Sequence, residues 1–231
     1  MTAVFDATIR DGVCRLARPD TRWLSTGYAG GEGRAPAAYN CTVPEGWTRT
    51  DLDAYVAERL DAAGFSADGP ALLTGVDQRH ARRARLGPVE AVATAGVSNP
   101  AALPVDAAAR TDGGQHAGTV NVVVGTTRSL APGALPNLLT VAAEAKAATL
   151  LELVGVPGTT TDAVVAACDP AGDPARFSGS ATAVGGAARA CVRDAVAASL
   201  RSRHPDGEYA AESGVVTDDR ATVSRLLTSD P

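Results

Sequence analysis

Residues 119–126 read Thr-Val-Asn-Val-Val-Val-Gly-Thr, and this valine-rich run constrains the fold more than any other part of the chain. An apolar run rich in β-branched residues is typical of a strand that is buried on both faces. A helical pattern follows at about 132–154, then an apolar strand pattern at 163–167 and a helical pattern at 181–201. This alternation of strand and helix favours a layered domain in which helices cover a sheet.

The first half of the chain opens with strands. Four strand patterns lie at 4–9, 13–17, 22–26 and 37–43, with Asp11-Gly12 as a hairpin signal between the first two. Further buried strands are predicted at 71–76 and 89–97, and a helix from Thr50, its N-cap, to about residue 63. The sequence therefore predicts an α/β (α+β) layered domain. Its mixed β-sheet would have an N-terminal β-meander and three main helices.

No internal repeat or interdomain linker interrupts the 231 residues. We predict a single domain over 1–204 and a polar, peripheral extension over 205–231, with a short helix near 218–227. The polar, glycine-containing stretch at 106–115 is predicted to be a loop or lid.

Composition excludes several classes of protein. No run of about 18 apolar residues is present, so no membrane span is expected. The amino-terminal residues alternate as in a strand and do not resemble a signal peptide, so we expect a cytoplasmic protein. A net charge of −5 argues against nucleic acid as a partner. The basic cluster at 79–85 is accordingly interpreted as a solvated turn or helix end.

The four cysteines, Cys14, Cys41, Cys168 and Cys191, contain no CxxC pair. We expect them to be buried thiols, and we predict no metal site. The chain also lacks a phosphate-binding loop and a GxSxG elbow, which argues against a nucleoside triphosphatase and an α/β-hydrolase.

Lys146 is the single lysine among 21 basic residues, and it lies on the apolar stripe of the helix predicted at 132–154. Its side chain either reaches water along the helix surface or is buried with a partner. A buried, paired lysine is also suited to be a general acid or an oxyanion stabiliser. Glu144 lies roughly 160° away around the helix, so the two do not form a simple pair, and Asp162 is the first partner to consider.

Polar residues in three other places are candidates for a site. Gly158-Thr-Thr-Thr-Asp162 precedes a buried strand and is either a capped loop or a set of hydroxyls and a carboxylate at a strand edge. Ser98 and Asn99 end another strand, as a turn or as hydrogen-bond donors at the open end of a sheet. Asn121, within the valine-rich strand, is either a hydrogen-bond hub in the core or a pocket residue.

Taken together, these segments resemble the adenosylcobinamide amidohydrolase family over roughly residues 20–200. The resemblance rests on Tyr39-Asn-Cys-Thr-Val-Pro44, Thr94-Ala-Gly-Val-Ser-Asn-Pro100, Gly118-Thr-Val-Asn-Val122, Pro132-Gly-Ala-Leu135 leading into Glu144-Ala-Lys146, Gly158-Thr-Thr-Thr-Asp162-Ala-Val and Gly185-Gly186. Their order and spacing together are more specific than any one of them.

The resemblance implies hydrolysis of the amide that joins the aminopropanol arm to the corrin ring of adenosylcobinamide. The product would be adenosylcobyric acid, which re-enters coenzyme B12 synthesis in corrinoid salvage. The corrinoid is then the small-molecule substrate, and no cofactor is expected. A homo-oligomer is compatible with the sequence.

We expect a carboxylate, Asp162 or Glu144, to activate water, and Lys146 or the Asn121 amide to stabilise the oxyanion. Thr160 or Thr161 as a nucleophile is an alternative that needs a nearby base. The substrate-binding residues would be Asn40, Ser98, Asn99, Asn121 and Thr160. His116 is a candidate proton shuttle, although a solvated loop position is the better interpretation.

Two other functions are compatible with these residues. One is a non-catalytic corrinoid-binding carrier or regulator, in which a histidine would ligate cobalt. The other is an amidase for a smaller amide.

Overall fold

The computed structural model describes residues 3–66, 68–104, 118–207, 214–217 and 219–224. These residues form twelve strands, three α-helices and a short 3₁₀ helix at Gln78–His80. In chain order the elements are β1 (Asp6–Arg10), β2 (Val13–Ser25), β3 (Gly31–Thr42), α1 (Leu52–Ala62), β4 (Ala71–Thr74), β5 (Arg82–Leu86), β6 (Val89–Ala95), β7 (Ala101–Ala102), β8 (Val120–Thr126), β9 (Ser129–Leu130), α2 (Ala134–Val154), β10 (Ala163–Cys168), β11 (Pro174–Ala175), α3 (Ala183–Arg203) and β12 (Val215–Val216).

Eight strands form one sheet in the order β4-β3-β2-β10-β8-β6-β5, and β1 pairs with β2 beside this path. The pairs β3–β4 and β8–β10 are parallel, whereas the other pairs are antiparallel. Every residue of β6, β8 and β10 is buried, which explains why these strands are almost continuously apolar. The mixed sheet, the N-terminal β-meander of β1 to β3 and the three helices are those that the sequence predicted.

The sheet curls so that its two ends form separate layers. Helices α2 and α3 cover one face of β6, β8 and β10. On the other face, Val92 and Val123 belong to the same hydrophobic cluster as Ala38 of β3 and Leu72 of β4. Helix α1 covers the outer side of β3. The order of layers is therefore helices, sheet, sheet, helix, and it places the end of β3 over the start of β8.

Helix α2 carries Lys146 into the interior. The helix ends at Gly155, whose φ of +74° gives the left-handed conformation that terminates many helices. Its buried stripe includes Ala142, Ala145 and Thr149, and Lys146 falls within it with an exposed fraction of 9%. The sequence placed Lys146 on the apolar stripe and left open whether its side chain reaches water or is buried, and the structure shows that it is buried.

Two predictions about strands were wrong. The strands predicted at 13–17 and 22–26 are one strand, β2, whose pairing with β3 is irregular between Ala17 and Thr21 and so breaks the sequence alternation. The basic cluster at 79–85 is only partly the predicted turn or helix end. From Arg82 onward it belongs to the edge strand β5, Arg82–Leu86. Charged side chains are common on edge strands, where they prevent pairing with other molecules.

Smaller differences concern element ends. Helix α1 begins after Asp51 and not after Thr50, and Asp51 makes no side-chain capping hydrogen bond. The described residues 219–224 are not helical, and the remainder of the predicted helix at 218–227 lies outside the described residues. The predicted loop or lid at 106–115 and His116 also lie outside them.

All four cysteines are buried free thiols, as expected. Burial raises the pKa of Cys14 and Cys191 to about 11 and that of Cys41 to about 12, so these thiols are unreactive at neutral pH. None of the helices in the described ranges has the length and apolar character needed to cross a membrane.

Candidate active site

Three chain segments meet at one edge of the main sheet. Strand β6 ends there, whereas β8 and β10 begin there, because β6 is antiparallel to β8 and β10 is parallel to it. The amide of Gly96 donates to the carbonyl of Thr119 at 3.1 Å, and the amide of Ala101 donates to the carbonyl of Gly158 at 2.9 Å. The segments 96–101, 118–120 and 158–162 therefore form one connected surface.

Asp162 is the centre of the hydrogen bonding at this edge. Its Oδ1 accepts from the amide of Val120 at 2.8 Å and from the hydroxyl of Thr159. Its Oδ2 accepts from the amide of Thr159 at 3.0 Å and from the ammonium group of Lys146. Both members of the ion pair are largely buried, with side chains 10% and 11% exposed. Four donors, one of them charged, thus compensate the burial of this carboxylate.

Gly158 makes the approach of Lys146 to Asp162 sterically feasible. A Cβ atom built on Gly158 would lie 2.7 Å from Oδ2 of Asp162 and 3.1 Å from Nζ of Lys146. Any side chain at this position would therefore push against the ion pair. Close packing therefore explains why residue 158 is a glycine, which the sequence alone did not reveal.

Hydroxyl and carboxamide groups lie on the solvent side of the ion pair. Thr160 and Thr161 are exposed. The hydroxyls of Thr161 and Thr119 share a hydrogen bond of 2.7 Å, and Thr161 also donates to the carbonyl of Gly118 at 3.3 Å. The carboxamide of Asn99 donates to the hydroxyl of Thr160, whose amide donates to the carbonyl of Asn99 at 3.2 Å. Ser98 is half-buried in the same segment.

A buried carboxamide network lies one strand position further into the domain. Asn40 donates to the hydroxyl of Thr94 and accepts from Asn121, both at 2.9 Å. Asn121 also donates to the carbonyl of Leu73 at 2.9 Å and is 2% exposed. Its Oδ1 is buried and accepts no hydrogen bond from the described residues. Buried carboxamide oxygens are nearly always hydrogen-bonded, so this oxygen retains the capacity to accept one more hydrogen bond.

Glu144 lies apart from this edge. Its side chain is 57% exposed and pairs loosely with Arg189 of α3 at 3.7 Å. The structure therefore joins Lys146 to Asp162, as the helical geometry of the sequence suggested, and leaves Glu144 on the outer side of α2.

Thr94 and Thr119 were not predicted to be members of the site, and Thr159 was included only as one of the three hydroxyls of segment 158–162. Thr94 faces Asn121 across the β6–β8 pair, and both are polar residues in buried strands. Such residues need internal hydrogen-bond partners, and this is the signal that could have identified Thr94. Thr119 and Thr159 each follow a glycine, which gave no comparable signal.

The histidines that the structure describes belong to a different cluster. His80 hydrogen-bonds through Nδ1 to the hydroxyl of Ser202 at 3.0 Å and accepts from Arg79 at its Nε2 at 3.1 Å. Burial, together with Arg79, lowers the pKa of His80 below its ordinary value. Among the described residues, no three His, Cys, Asp or Glu side chains are grouped so that they could hold a metal ion.

Comparisons with known proteins agree with the resemblance in sequence. The CbiZ family model, described as adenosylcobinamide amidohydrolase, matches residues 3–208. A Halobacterium salinarum protein named adenosylcobinamide amidohydrolase is 56% identical in an alignment 234 residues long, which covers 96% of this chain and all of that protein. A Methanosarcina mazei protein of the same name is 28% identical over 159 residues, which are 68% of this chain and 74% of that protein. This chain belongs to the adenosylcobinamide amidohydrolase family.

Proposed function

We propose that this protein hydrolyses the amide between the aminopropanol arm and the corrin ring of adenosylcobinamide, giving adenosylcobyric acid for corrinoid salvage. One observation carries the proposal beyond the family match. Segments 94–100, 118–122 and 158–162, together with Lys146, are distant in sequence and are among those that resemble the family. They converge on one sheet edge around a buried ion pair.

The contacts of Asp162 favour a positioning role. Each carboxylate oxygen already accepts two hydrogen bonds, so no favourable lone pair is left to take a proton from water. Asp162 instead holds the ammonium group of Lys146 and the start of β10 in fixed positions. This differs from our sequence-based hypothesis that Asp162 or Glu144 activates water.

Lys146 is suited to stabilise the oxyanion that forms when water attacks the amide carbonyl. Its ammonium group has three donors, and one is used by Asp162. A preorganised cation in a largely buried place stabilises developing negative charge more than it does in water. The water oxygen forms a C–O bond to the carbonyl carbon, and one proton of the same water passes to the amide nitrogen as the C–N bond breaks. The water is thus divided between the new carboxyl group of adenosylcobyric acid and the amino group of the departing aminopropanol.

The exposed hydroxyls would orient the attacking water and the substrate. Thr161 and Thr160 have hydroxyl, carbonyl and carboxamide neighbours, none of which is a strong base. We therefore favour water over a threonine as the nucleophile. Ser98 and Asn99 offer donors and acceptors for the side-chain amides of the corrin ring. Asn40 and Asn121 are buried, and in this pair the Oδ1 of Asn121 is the acceptor left for a ligand N–H group. In this scheme the corrinoid is the substrate and no further cofactor takes part.

Incubation of the purified protein with adenosylcobinamide tests the proposal. Mass spectrometry should detect adenosylcobyric acid and aminopropanol in equal amounts, and the Lys146→Met variant should form neither at a comparable rate. Corrinoid binding without turnover would instead support a carrier or regulator. Turnover of a smaller amide alone would support an amidase for that amide. A protein that neither binds nor hydrolyses adenosylcobinamide would refute the corrinoid function.

The cellular setting is part of the same proposal. Four buried free thiols suit a reducing compartment, and we propose that the protein acts in the cytoplasm. Whether it works as a homo-oligomer is answered by light scattering at the concentrations used for the assay.

A further inference from the structure

We propose that the backbone of Gly214, Val215 and Thr217 positions the substrate-facing segment 98–102 of the candidate site. These residues lie beyond residues 3–208, which match the family model. The inference rests on the proposed function, because it concerns how the same site binds its substrate. It assigns a function to part of the extension that the sequence led us to expect to be peripheral.

Strand β12 of the C-terminal segment pairs with β7. The two strands are parallel, with Val215 beside Ala101. The amide of Val215 donates to the carbonyl of Pro100 at 2.9 Å, and the amide of Thr217 donates to the carbonyl of Ala102 at 3.0 Å. Within the described part of the chain, β12 is the one strand that pairs with β7.

Strand β7 and Pro100 before it contact the candidate site in turn. Pro100 forms an antiparallel bridge with Thr159, and the amide of Ala101 donates to the carbonyl of Gly158 at 2.9 Å. Thr159 and Gly158 are among the residues around the carboxylate of Asp162. One continuous set of backbone contacts thus runs from the C-terminal segment to the Lys146–Asp162 pair.

Two glycines contact segment 98–102 closely. A Cβ atom built on Gly214 would lie 2.4 Å from the carbonyl oxygen of Pro100. A Cβ atom on Gly118 would lie 2.5 Å from the amide nitrogen of Ser98 and 2.6 Å from that of Asn99. The backbone of Gly118 therefore packs directly against the backbone of Ser98 and Asn99, with no side chain between them.

Segment 214–217 lies largely outside the hydrophobic core. Val215 is 51% exposed and Thr217 is exposed, so this segment contributes little to the core. Segments with few buried apolar contacts open locally at low cost and leave the domain folded. Loss of the β12–β7 pairing should therefore change the site more than it changes the melting temperature.

The test compares Val215→Pro with Val216→Pro in the full-length protein. Proline at 215 removes the N–H group that donates to Pro100. Proline at 216 is the matched control, because successive N–H groups of a strand point to opposite sides and the amide of Val216 points away from β7. Gly214→Ala is a second variant, which disturbs the same contact without removing a donor.

We expect Val215→Pro to raise KM for adenosylcobinamide by about fivefold to tenfold, the factor that one lost backbone hydrogen bond gives. Its kcat should change less, its Tm should stay within about 2 °C of wild type, and amide hydrogen exchange in residues 98–102 should accelerate. Gly214→Ala should shift KM and exchange in the same direction, and Val216→Pro should resemble wild type.

Wild-type KM and wild-type exchange in both Val215→Pro and Gly214→Ala would overturn the inference. Equal effects of Val215→Pro and Val216→Pro would also overturn it, because the contact with Pro100 would then be immaterial. If the wild-type protein does not hydrolyse adenosylcobinamide, the proposed function fails, whereas the exchange measurement still decides whether the segment is held by β12.

Discussion

Asp162 and Glu90 are two buried carboxylates held at opposite ends of the same three-stranded region. Asp162 lies where β8 and β10 begin, whereas Glu90 lies near the start of β6, beside the end of β8. Glu90 has no exposed surface and pairs with Arg83 at 3.0 Å and, more loosely, with Arg85 at 3.9 Å. It also accepts from the amide of Val4 at 3.0 Å.

The difference between the two places lies in their neighbours. Asp162 is paired with a cation that is itself largely buried, and exposed hydroxyls and a carboxamide lie beside the pair. Glu90 instead fastens the edge strand β5 and the amino-terminal residues to the sheet. Its cations, Arg83 and Arg85, are 34% and 42% exposed. Burial of a charged group therefore does not by itself identify an active site. The accessible polar groups beside Asp162 distinguish its surroundings from those of Glu90.

Asp162→Asn should have the largest effect. An amide has one acceptor oxygen where the carboxylate has two, so donors from Val120 or Thr159 lose their acceptor and Lys146 loses its counter-charge. We expect a loss of about 3–5 kcal/mol in the free energy of unfolding and a fall in kcat of roughly a hundredfold or more. Urea denaturation and turnover by mass spectrometry measure the two. A stable variant with wild-type turnover would remove Asp162 from the site.

Arg83→Met should separate the two carboxylates. It leaves Glu90 fully buried with Arg85 and the Val4 amide, and we expect a loss of about 2 kcal/mol in stability. The kcat of the folded fraction should equal that of wild type. Arg85→Met is the matched control and should cost under about 1 kcal/mol, because this pair is longer and more exposed. A large fall in kcat in either variant would contradict the structural role of Glu90.

Gly158→Ala should weaken the site by steric means alone. The added methyl group would lie against Asp162 and Lys146, so we expect a loss of about 1–2 kcal/mol in stability and a decrease in kcat. Gly133→Ala is the matched control, because a Cβ atom there has no neighbour within 4 Å. The control should change stability by no more than about 0.5 kcal/mol. Equal turnover in the two variants would show that the ion pair's geometry is unimportant.

The pH dependence of the free energy of unfolding should be the smallest effect, and it arises from His80 and not from Asp162 or Glu90. Because the pKa of His80 is lowered in the folded protein, the unfolded chain binds the proton more tightly. The contribution of neutral His80 to the free energy of unfolding is therefore fully present at pH values above the ordinary histidine pKa of about 6.5. This contribution is lost as the pH falls through the lower pKa that His80 has in the folded protein. Stability should decrease between pH 8 and 5.5, and less steeply in His80→Gln. An unchanged slope would contradict this.

Much of the layered architecture could be predicted from the sequence because apolar periodicity is a local property. The valine-rich strand and the stripe on α2 are complete within short windows, and that stripe also carried Lys146 inward. Strand β2 and strand β5 were missed for equally local reasons, since an irregular pairing breaks the alternation in one and arginines disguise the other.

The site was only partly predictable because its contacts depend on the curl of the sheet. Asn40 and Asn121 are 81 positions apart, and nothing local says that β3 lies over β8. The pairing of Lys146 with Asp162 could be anticipated, because the two are 16 positions apart and a buried lysine requires a partner. The contribution of Gly158 and Gly214 could not be anticipated, since close approach becomes visible only in three dimensions.

The most direct test is the single-turnover rate of Lys146→Met, measured beside Arg83→Met with adenosylcobinamide and corrected for the folded fraction of each variant. Both substitutions remove the cation that pairs with a buried carboxylate, so both should lower the free energy of unfolding for the same reason. We predict a rate lowered by roughly a hundredfold to a thousandfold in Lys146→Met and a wild-type rate in Arg83→Met. Equal rates in the two variants would contradict the assignment of the active site to the Lys146–Asp162 edge.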